Sequence, residues 1–261
     1  MKLTQIKEIP FELPSELKEK ISDARIYDSS CSPEARVYLA DCDGGYFIKA
    51  GAPRALEKEA AMTEYFHSLR LSAEVIYYGS GERDILVTRR VPGKDLTSSE
   101  YLESPFETAK KMGEYLRALH ELDSRGCPIM HRTKDYLSVA FEGYGIKRFD
   151  PSYIDGSLRI SDMESAMGYV EKNMHLLEEN VLLHGDFCLP NVIFDGGKLS
   201  GYIDLGGAGI GDRHIDLFWG AWTLNFNLHT EKYRDIFFDA YGRDEIDKEK
   251  LLLVSAIEAF G

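Results

Sequence analysis

The chain lacks several features that would direct it to a membrane, a zinc site or an oxidising compartment. None of its apolar runs approaches the 18 residues of a membrane-spanning helix, and the segment MKLTQIKEIPFELP has no apolar core of signal-peptide length. The four cysteines form no C-x-x-C pair and have no matching histidine spacing, which argues against a zinc site or a disulfide framework. We therefore expect a cytoplasmic protein with reduced thiols.

Basic charge is also scarce. Lysine and arginine total 31 against 44 acidic residues, which gives a formal net charge of −13. This balance argues against nucleic acid or an anionic membrane as a partner and suits a cationic ligand. The glycines at 206, 207, 209 and 211 do not fit G-x-G-x-x-G, so a dinucleotide-binding fold is rejected.

The most informative segment of the chain is LLHGDFCLPNVIFDGGKLSGYIDLGGAGIGDRHID. Asp186 is followed five residues later by Asn191 and, after a further 13 residues, by Asp204. Phosphoryl transfer from a nucleotide requires one acid to orient a hydroxyl, and an amide and a second acid to hold magnesium. Asp186 alone could equally cap a turn, but the combination indicates a small-molecule kinase.

A tight turn within this segment relates the two proposed metal ligands. The sequence Asp195-Gly196-Gly197-Lys198 is typical of a hairpin. If the two glycines are the central turn residues, Asn191 lies opposite Tyr202 and diagonal to Asp204, roughly 7–8 Å away. Mg²⁺ usually takes only one or two of its ligands from the protein and the rest from phosphates and water. Asn191 and Asp204 are therefore sufficient as the protein's ligands.

A predicted helix over residues 53–69 contains a second chemical signal. Glu59 falls near the middle of the helix's apolar arc, where a carboxylate is costly unless a cation meets it. The nearest candidate is Lys49, at the end of a predicted strand, and a kinase lysine that holds nucleotide phosphates is positioned by such a glutamate. The alternative for either residue alone is an ordinary surface position.

The layout predicts an α+β fold with a small N-terminal lobe over residues 1–91 and a larger, mainly helical lobe over residues 92–261. Hairpin and alternation signals predict strands at 35–40, 46–50, 74–78 and 85–88. Helical signals run over 161–179 and 230–260, and Ser104-Pro105-Phe106-Glu107 predicts a capped helix start.

With these motifs the chain resembles the aminoglycoside phosphotransferase family, and especially the 3′-phosphotransferases. The similarity is most specific in HGDFCLPNVIFDGGKLSGYIDLGGAGIGDRHID and extends to SPEARVY, YFIK, LEKEAA, VPGKDL and RALHEL. It implies a bilobal protein-kinase-like fold with a small antiparallel sheet in the first lobe.

The resemblance also implies roles for individual residues. Asp186 would orient the attacking hydroxyl, Asn191 and Asp204 would bind Mg²⁺, and Asp216 would brace the catalytic loop. The remaining roles concern the nucleotide. Lys49 would bind its phosphates, and Glu59 would hold Lys49 in place. The loop near Ser32 would cover the phosphates, and the backbone of Arg89 to Val91 would contact the base.

For the cationic acceptor, the resemblance implies Asp150, Asp155 and Glu258, although Asp150 and Asp155 could equally be solvated surface residues. Two departures from the family pattern affect the acceptor profile more than phosphoryl transfer. Gly207 stands where the family typically has arginine, and Ile257 stands where it often has aspartate.

The function that these observations predict is transfer of the γ-phosphate of ATP or GTP to an aminoglycoside, at the 3′-hydroxyl, which confers resistance. One alternative is a kinase of the same fold acting on an endogenous amino sugar, amine or alcohol. A second is a nucleotide-binding protein without transfer activity. We expect a monomer or a weak homodimer.

Overall fold

The computed structural model of the protein describes residues 3–30 and 35–261. The chain divides into two compact units, Met1–Lys94 with Ile193–Gly206, and Asp95–Val192 with Gly207–Gly261. The first segment therefore ends close to the predicted boundary at residue 91. However, the first unit also takes up the 14 residues Ile193–Gly206 from the proposed catalytic segment.

The first unit contains a six-stranded antiparallel sheet with the order β1-β2-β3-β4-β6-β5. Its strands are β1 (Thr4–Ile6), β2 (Arg25–Asp28), β3 (Arg36–Asp41), β4 (Tyr46–Gly51), β5 (Val75–Ser80) and β6 (Asp84–Arg89). The four predicted strands correspond to β3, β4, β5 and β6, and each observed strand has slightly different ends.

Strand β4 separates a core face from a functional face. Tyr46, Ile48 and Ala50 are buried, and alternation along a strand places Phe47 and Lys49 on the opposite face. Lys49 is paired in register with Val37 of β3 and Leu86 of β6. A lysine in the middle of a sheet face thus has a fixed position between two neighbouring strands.

The first unit also contains helices α1 (Ser15–Lys20) and α2 (Glu57–Ser68). The predicted start of α2 at Pro53 was wrong, because residues 53–56 form turns and Arg54 has a φ of +66°. The fully buried Asp84 accepts hydrogen bonds from the backbone nitrogens of Arg54 (2.7 Å) and Leu56 (2.8 Å). A carboxylate from β6 therefore binds the amides that lead into α2.

The second unit is mainly helical. Its helices are α3 (Ser99–Leu102), α4 (Pro105–His120), α5 (Arg132–Gly145), α6 (Met163–Asn173), α7 (His214–Leu228), α8 (Arg234–Tyr241) and α9 (Lys248–Glu258). Helix α4 begins at Pro105 as predicted, but Ser104 makes no side-chain capping bond. The predicted helix over 230–260 is divided into α8 and α9 because Gly242 follows α8 with a φ of +114°.

Five short strands complete the fold, β7 (Lys94–Asp95), β8 (Val181–Leu183), β9 (Val192–Asp195), β10 (Lys198–Tyr202) and β11 (Gly209–Gly211). Strands β8 and β11 pair antiparallel with Leu182 opposite Ile210. Gly196 and Gly197 join β9 to β10 with φ values of +54° and +75°, as a tight hairpin turn requires. Asn191 ends a 3₁₀ turn before β9, and Asp204 lies beyond β10. The two proposed metal ligands therefore flank the hairpin strands and are not strand residues themselves.

A hydrophobic core lies between α5, α6, α9 and β8 in the second unit. Its fully buried members include Val170, Leu183, Leu253 and Phe260. The C-terminal helix is thereby fixed against the strand that leads into His184-Gly185-Asp186. Among the helices of the described residues, none is both long and apolar enough to cross a bilayer.

We expect Asp84→Ala to lower the free energy of unfolding by about 2–3 kcal/mol, because two backbone donors lose a buried acceptor. The matched control is Asp123→Ala, which removes an exposed carboxylate that accepts from the backbone nitrogen of Arg125 at 3.1 Å. Urea unfolding of both variants measures the difference. Equal losses in the two variants would contradict the assigned role of Asp84.

Candidate functional site

A cluster of three charged side chains lies within the first unit. Lys49 Nζ donates to Glu59 Oε1 at 3.0 Å and Oε2 at 2.8 Å, and to Asp204 Oδ1 at 2.6 Å. Strand β4 supplies the lysine, α2 the glutamate, and the segment after β10 the aspartate. The structure therefore brings together three residues that the sequence analysis assigned to binding of the nucleotide phosphates and their magnesium ion.

Burial makes this cluster electrostatically strong. Desolvation alone would lower the pKa of Lys49, but the charges of Glu59 and Asp204 outweigh it and raise that pKa. Burial raises the pKa of Glu59, and the charge of Lys49 opposes that rise. The lysine is therefore held as a cation at neutral pH, which suits a phosphate ligand.

Asp204 has an unusual backbone conformation. Its φ is +58°, in the left-handed region that non-glycine residues adopt infrequently. Its side chain is about half exposed, in contrast to that of Glu59. A strained, accessible carboxylate beside a buried lysine is typical of a functional position.

The cluster forms one wall of a cavity of about 230 Å³ in the first unit. Its other lining residues are mainly apolar and include Val37, Phe47, Leu86, Val91 and Ile203. A cavity with an apolar part and a cation at one end can accommodate a flat base and a phosphate chain.

The two predicted hinge residues also line this cavity. The backbone nitrogen of Arg89 already donates to Glu74 O at 2.9 Å. Its guanidinium donates to Asp43 O at 2.7 Å and lies over the ring of Tyr46. The Arg89 side chain is thus occupied within the sheet. Ser32, predicted to cover the phosphates, lies outside the described residues.

In the second unit, Asp186 is held by its neighbour Asn191. Asn191 Nδ2 donates to Asp186 Oδ2 at 2.8 Å and to the Asp186 carbonyl at 3.0 Å. Asn191 is buried and Asp186 is partly exposed. The carboxylate therefore has a fixed orientation and still reaches solvent.

A second acid, Asp216, fixes the loop that carries Asp186. The fully buried Asp216 accepts from the backbone nitrogens of His184 and Gly185, each at 2.7 Å. Its Oδ2 also lies 3.1 Å from His120 Nε2, and burial lowers the pKa of His120. These contacts are consistent with the bracing role that the resemblance implied for Asp216.

Gly185 permits a close backbone approach in this loop. Its φ is +84°, and a Cβ atom there would lie 1.8 Å from the carbonyl oxygen of Gly207. A Cβ at Gly207 would in turn lie 3.0 Å from the Gly185 carbonyl oxygen. Gly185 therefore has to lack a side chain for the two segments to meet, whereas a side chain at position 207 would make a tight contact.

The candidate metal ligands have the right chemistry for Mg²⁺. Because Asn191 uses its amide nitrogen on Asp186, its Oδ1 is left to bind a cation. Asp204 offers an accessible carboxylate, and both atoms are hard oxygen donors. The described residues contain no group of three or more His, Cys, Asp or Glu residues that could hold a metal ion.

Among the proposed acceptor-binding acids, Glu258 shares a cavity with Asp186. This cavity of about 190 Å³ is also lined by Arg132, Tyr136 and Trp219. Tyr136 donates its hydroxyl to Glu258 Oε1 at 2.7 Å. Burial raises the pKa of Glu258 to about 7, opposed by hydrogen bonds from Tyr136 and Trp219.

The structure does not bring Asp150 and Asp155 into that cavity. Both are exposed and cap short 3₁₀ turns, where they accept from the backbone nitrogens of Ser152 and Ser157, each at 2.9 Å. Asp155 lines a separate cavity of about 550 Å³ with Tyr153 and other aromatic side chains.

Two residues of the site region, Asp212 and Arg132, were missed by the sequence reasoning. The buried Asp212 accepts from the backbone nitrogens of Glu178 and His214, each at 2.9 Å. Arg132 lines the Asp186 cavity. Cys188, within the catalytic loop, has a pKa raised by burial and by the charge of Asp186, so its thiol stays neutral and packs rather than reacts.

Comparison with known proteins identifies the family. A model described as "Phosphotransferase enzyme family" matches residues 31–252. A "Probable aminoglycoside 3′-phosphotransferase" of Lactococcus lactis subsp. lactis is 43% identical over 99% of this chain and 100% of its own length. An aminoglycoside 3′-phosphotransferase of Niallia circulans is 32% identical over 69% of this chain and 68% of its own.

The chain belongs to the aminoglycoside phosphotransferase family. It is a phosphotransferase enzyme, and both the resemblance and the predicted kinase-like fold are confirmed. A solved aminoglycoside-3′-phosphotransferase of type VIII is 25% identical and matches with a TM-score of 0.72, over 89% of this chain and 91% of that one. APH(3″)-Id from Streptomyces rimosus, solved with ADP and streptomycin, matches with a TM-score of 0.75, 21% identity, and coverage of 94% and 95%.

The two departures from the family pattern have distinct surroundings in this chain. Gly207 contacts Gly185, and its carbonyl accepts a hydrogen bond from Arg132. Ile257 is 1% exposed and packs in the hydrophobic core of the second unit. Ile257 also lines the cavity that contains Asp186 and Glu258, so an isoleucine here gives that cavity one acid fewer than an aspartate would.

We expect the stability of the protein to fall between pH 4.5 and 7 through Glu258. In that range the unfolded glutamate ionises while the folded one, with a pKa near 7, stays neutral, so the folded state loses relative stability as pH rises. The 2.5-unit difference corresponds to roughly 3 kcal/mol across the range.

Urea unfolding of the wild type and of Glu258→Gln at intervals from pH 4.5 to 7.5 measures this contribution. The difference between the two free energies of unfolding should change through this window and level off above it. Parallel curves for the two proteins would refute the assigned pKa.

Proposed function

We propose that the protein transfers the γ-phosphate of ATP or GTP to the 3′-hydroxyl of an aminoglycoside and thereby confers resistance. The observation that carries this proposal is the cavity shared by Asp186 and Glu258. It combines an oriented, accessible carboxylate for the hydroxyl with a buried acid for an ammonium group. The name of the Lactococcus lactis relative supports the same reaction and position.

Asp186 acts on the acceptor hydroxyl. Because Asn191 holds its Oδ2 atom, the carboxylate presents a defined direction to an incoming oxygen. Phosphoryl transfer of this kind depends mainly on positioning and charge stabilisation, since the transition state is loose. The aspartate accepts the hydroxyl proton as the acceptor oxygen bonds to phosphorus.

The nucleotide occupies the cavity of the first unit. Its base packs against apolar residues such as Val37 and Leu86, near the backbone of Arg89 and Val91, and Lys49 pairs with its phosphates. A solved relative that contains ADP and streptomycin supports a nucleotide donor. Asn191 and Asp204 would hold Mg²⁺, which neutralises phosphate charge when bound.

The acceptor is a polycation, and the protein carries a net charge of −13. Glu258 meets one of its ammonium groups. Pairing with a cation lowers the pKa of a carboxyl group, so binding ionises Glu258 and recovers the cost of its burial. Asp150 and Asp155, which are exposed, contribute long-range attraction that salt weakens.

The test is a coupled assay of nucleoside diphosphate release with ATP and with GTP. The acceptors are kanamycin, neomycin, the 3′-deoxy compound tobramycin, and a blank without acceptor. Turnover on kanamycin but not on tobramycin supports the 3′-phosphotransferase. Turnover on endogenous amino sugars or amines alone would favour the kinase of another acceptor, and nucleotide binding without any transfer would favour a non-catalytic protein.

We expect Asp186→Ala to lower turnover on kanamycin by about 10³-fold or more, because the acceptor hydroxyl loses its base and its orientation. The matched control is Asp195→Ala, at the exposed end of β9, which should keep wild-type turnover. Equal far-ultraviolet circular dichroism of the three proteins verifies the fold. Near-normal turnover of Asp186→Ala would rule out its role.

A further inference from the structure

The cavity at Asp186 contains one basic side chain among the described residues that line it. Arg132 stands there with two acids, Asp186 and Glu258. The acids suit a cationic acceptor, but they repel the negatively charged phosphoryl group that must reach the same acceptor. A cation beside Asp186 is therefore needed to attract the phosphoryl group, since the acids already attract the cationic acceptor.

Arg132 is fixed at the start of α5. Its neighbour Thr133 is buried, donates its hydroxyl to Glu178 O at 2.8 Å, and accepts from Asp212 N at 2.9 Å. The other neighbour, His131, contacts Glu179 at 2.7 Å. The backbone that carries the arginine is thus held from two sides.

The guanidinium is anchored through one nitrogen only. Arg132 Nε donates to the carbonyl oxygen of Gly207, and that oxygen lies against Gly185, the residue before Asp186. The guanidinium carbon lies 5.9 Å from the centre of the Tyr136 ring. Across residues 3–30 and 35–261, no carboxylate lies within ion-pair distance of Arg132, so its two terminal amino groups have no anionic partner.

Such an arrangement matches an arginine that receives a phosphoryl group. A guanidinium has five N–H donors in a planar fork, and the anchor uses one of them. The remaining donors can bind two oxygens of a phosphoryl group at once, with a charge that does not titrate near neutral pH. Burial raises the pKa of both Tyr136 and Glu258, and the charge of Arg132 opposes part of that rise, so its field reaches this cavity.

We propose that Arg132 is a catalytic residue that binds the phosphoryl group during its transfer at Asp186. This role rests on the proposed function and adds a residue to it. The acceptor oxygen bonds to the γ-phosphorus while the bond from that phosphorus to the β–γ bridging oxygen breaks. The hydroxyl proton passes to Asp186, and the diphosphate leaves with the bonding electrons. The fork of Arg132 pairs with the oxygens of the moving group.

The test compares single-turnover phosphate transfer to kanamycin by the wild type, Arg132→Gln and Arg132→Lys. We expect Arg132→Gln to slow transfer about 100-fold, the effect typical of losing one donor to developing charge. Arg132→Lys should recover part of the rate, because it restores the charge without the fork. The Kd for kanamycin should stay equal or become slightly tighter, since a positive charge has left the acceptor cavity.

A matched control separates catalysis from structure. Arg148 also donates its Nε to a backbone carbonyl, that of Phe260, at 3.0 Å, but it does not line the Asp186 cavity. Arg148→Gln should keep the wild-type rate. Guanidinium ions at millimolar concentration should restore part of the activity of Arg132→Ala, whereas equal sodium chloride should not.

Three outcomes would overturn the proposal. The first is an equal loss of rate in Arg148→Gln. The second is a rate loss in the Arg132 variants that guanidinium does not rescue and that parallels a fall in their melting temperature. The third is a change confined to the kanamycin Kd. If the wild type phosphorylates none of the acceptors, the proposed function fails. The role of Arg132 is then tested on the slow transfer of the γ-phosphate to water, which needs no acceptor, with the same variants.

Discussion

The position of Asp186, the proposed catalytic residue, depends on a second, fully buried carboxylate, that of Asp216. Asp216, at the start of α7, accepts from two consecutive backbone nitrogens immediately before Asp186 and also contacts His120 from α4. A buried carboxylate with several donors is costly to remove, because each donor would lose its partner. Two helices and the catalytic loop therefore share one acceptor.

The same principle governs the first unit. Lys49 and Glu59 are largely removed from solvent, so each stabilises the charge of the other and neither is tolerated alone. Asp204 is the exposed member of this cluster, and it shares the lysine with the glutamate. A ligand that brings phosphate to Lys49 competes with Asp204 and leaves Glu59 in place.

Much of the site could be predicted from the sequence because its residues lie in short, regular patterns. Asp186, Asn191 and Asp204 stand in one segment, and helical spacing directed Glu59 toward the apolar side of α2. The start of α2 could not be predicted, because the acceptor at Leu56 comes from Asp84, 28 residues away. Helix α7 was also missed, since it is apolar on nearly all sides and lacks an amphipathic period.

The long-range contacts of the second unit gave no signal in the sequence. Arg132 and Gly207 are 75 residues apart, and Arg132 belongs to no recognisable motif. The close approach of Gly185 and Gly207 likewise depends on the tertiary fold. The motifs and the resemblance therefore predicted the candidate reacting groups together with Glu59 and Asp216, whereas the position of Arg132 beside Asp186 depends on contacts between residues distant in the sequence.

Position 204 has two requirements, a residue that tolerates a left-handed backbone and a negative charge, and substitutions can separate them. Asparagine tolerates a φ of +58° and has nearly the same size, so it would preserve the local backbone and remove only the charge. Glutamate would keep the charge but fit this conformation less well. Position 204 therefore has a narrow range of acceptable residues, and aspartate alone combines the backbone preference with a short anionic side chain.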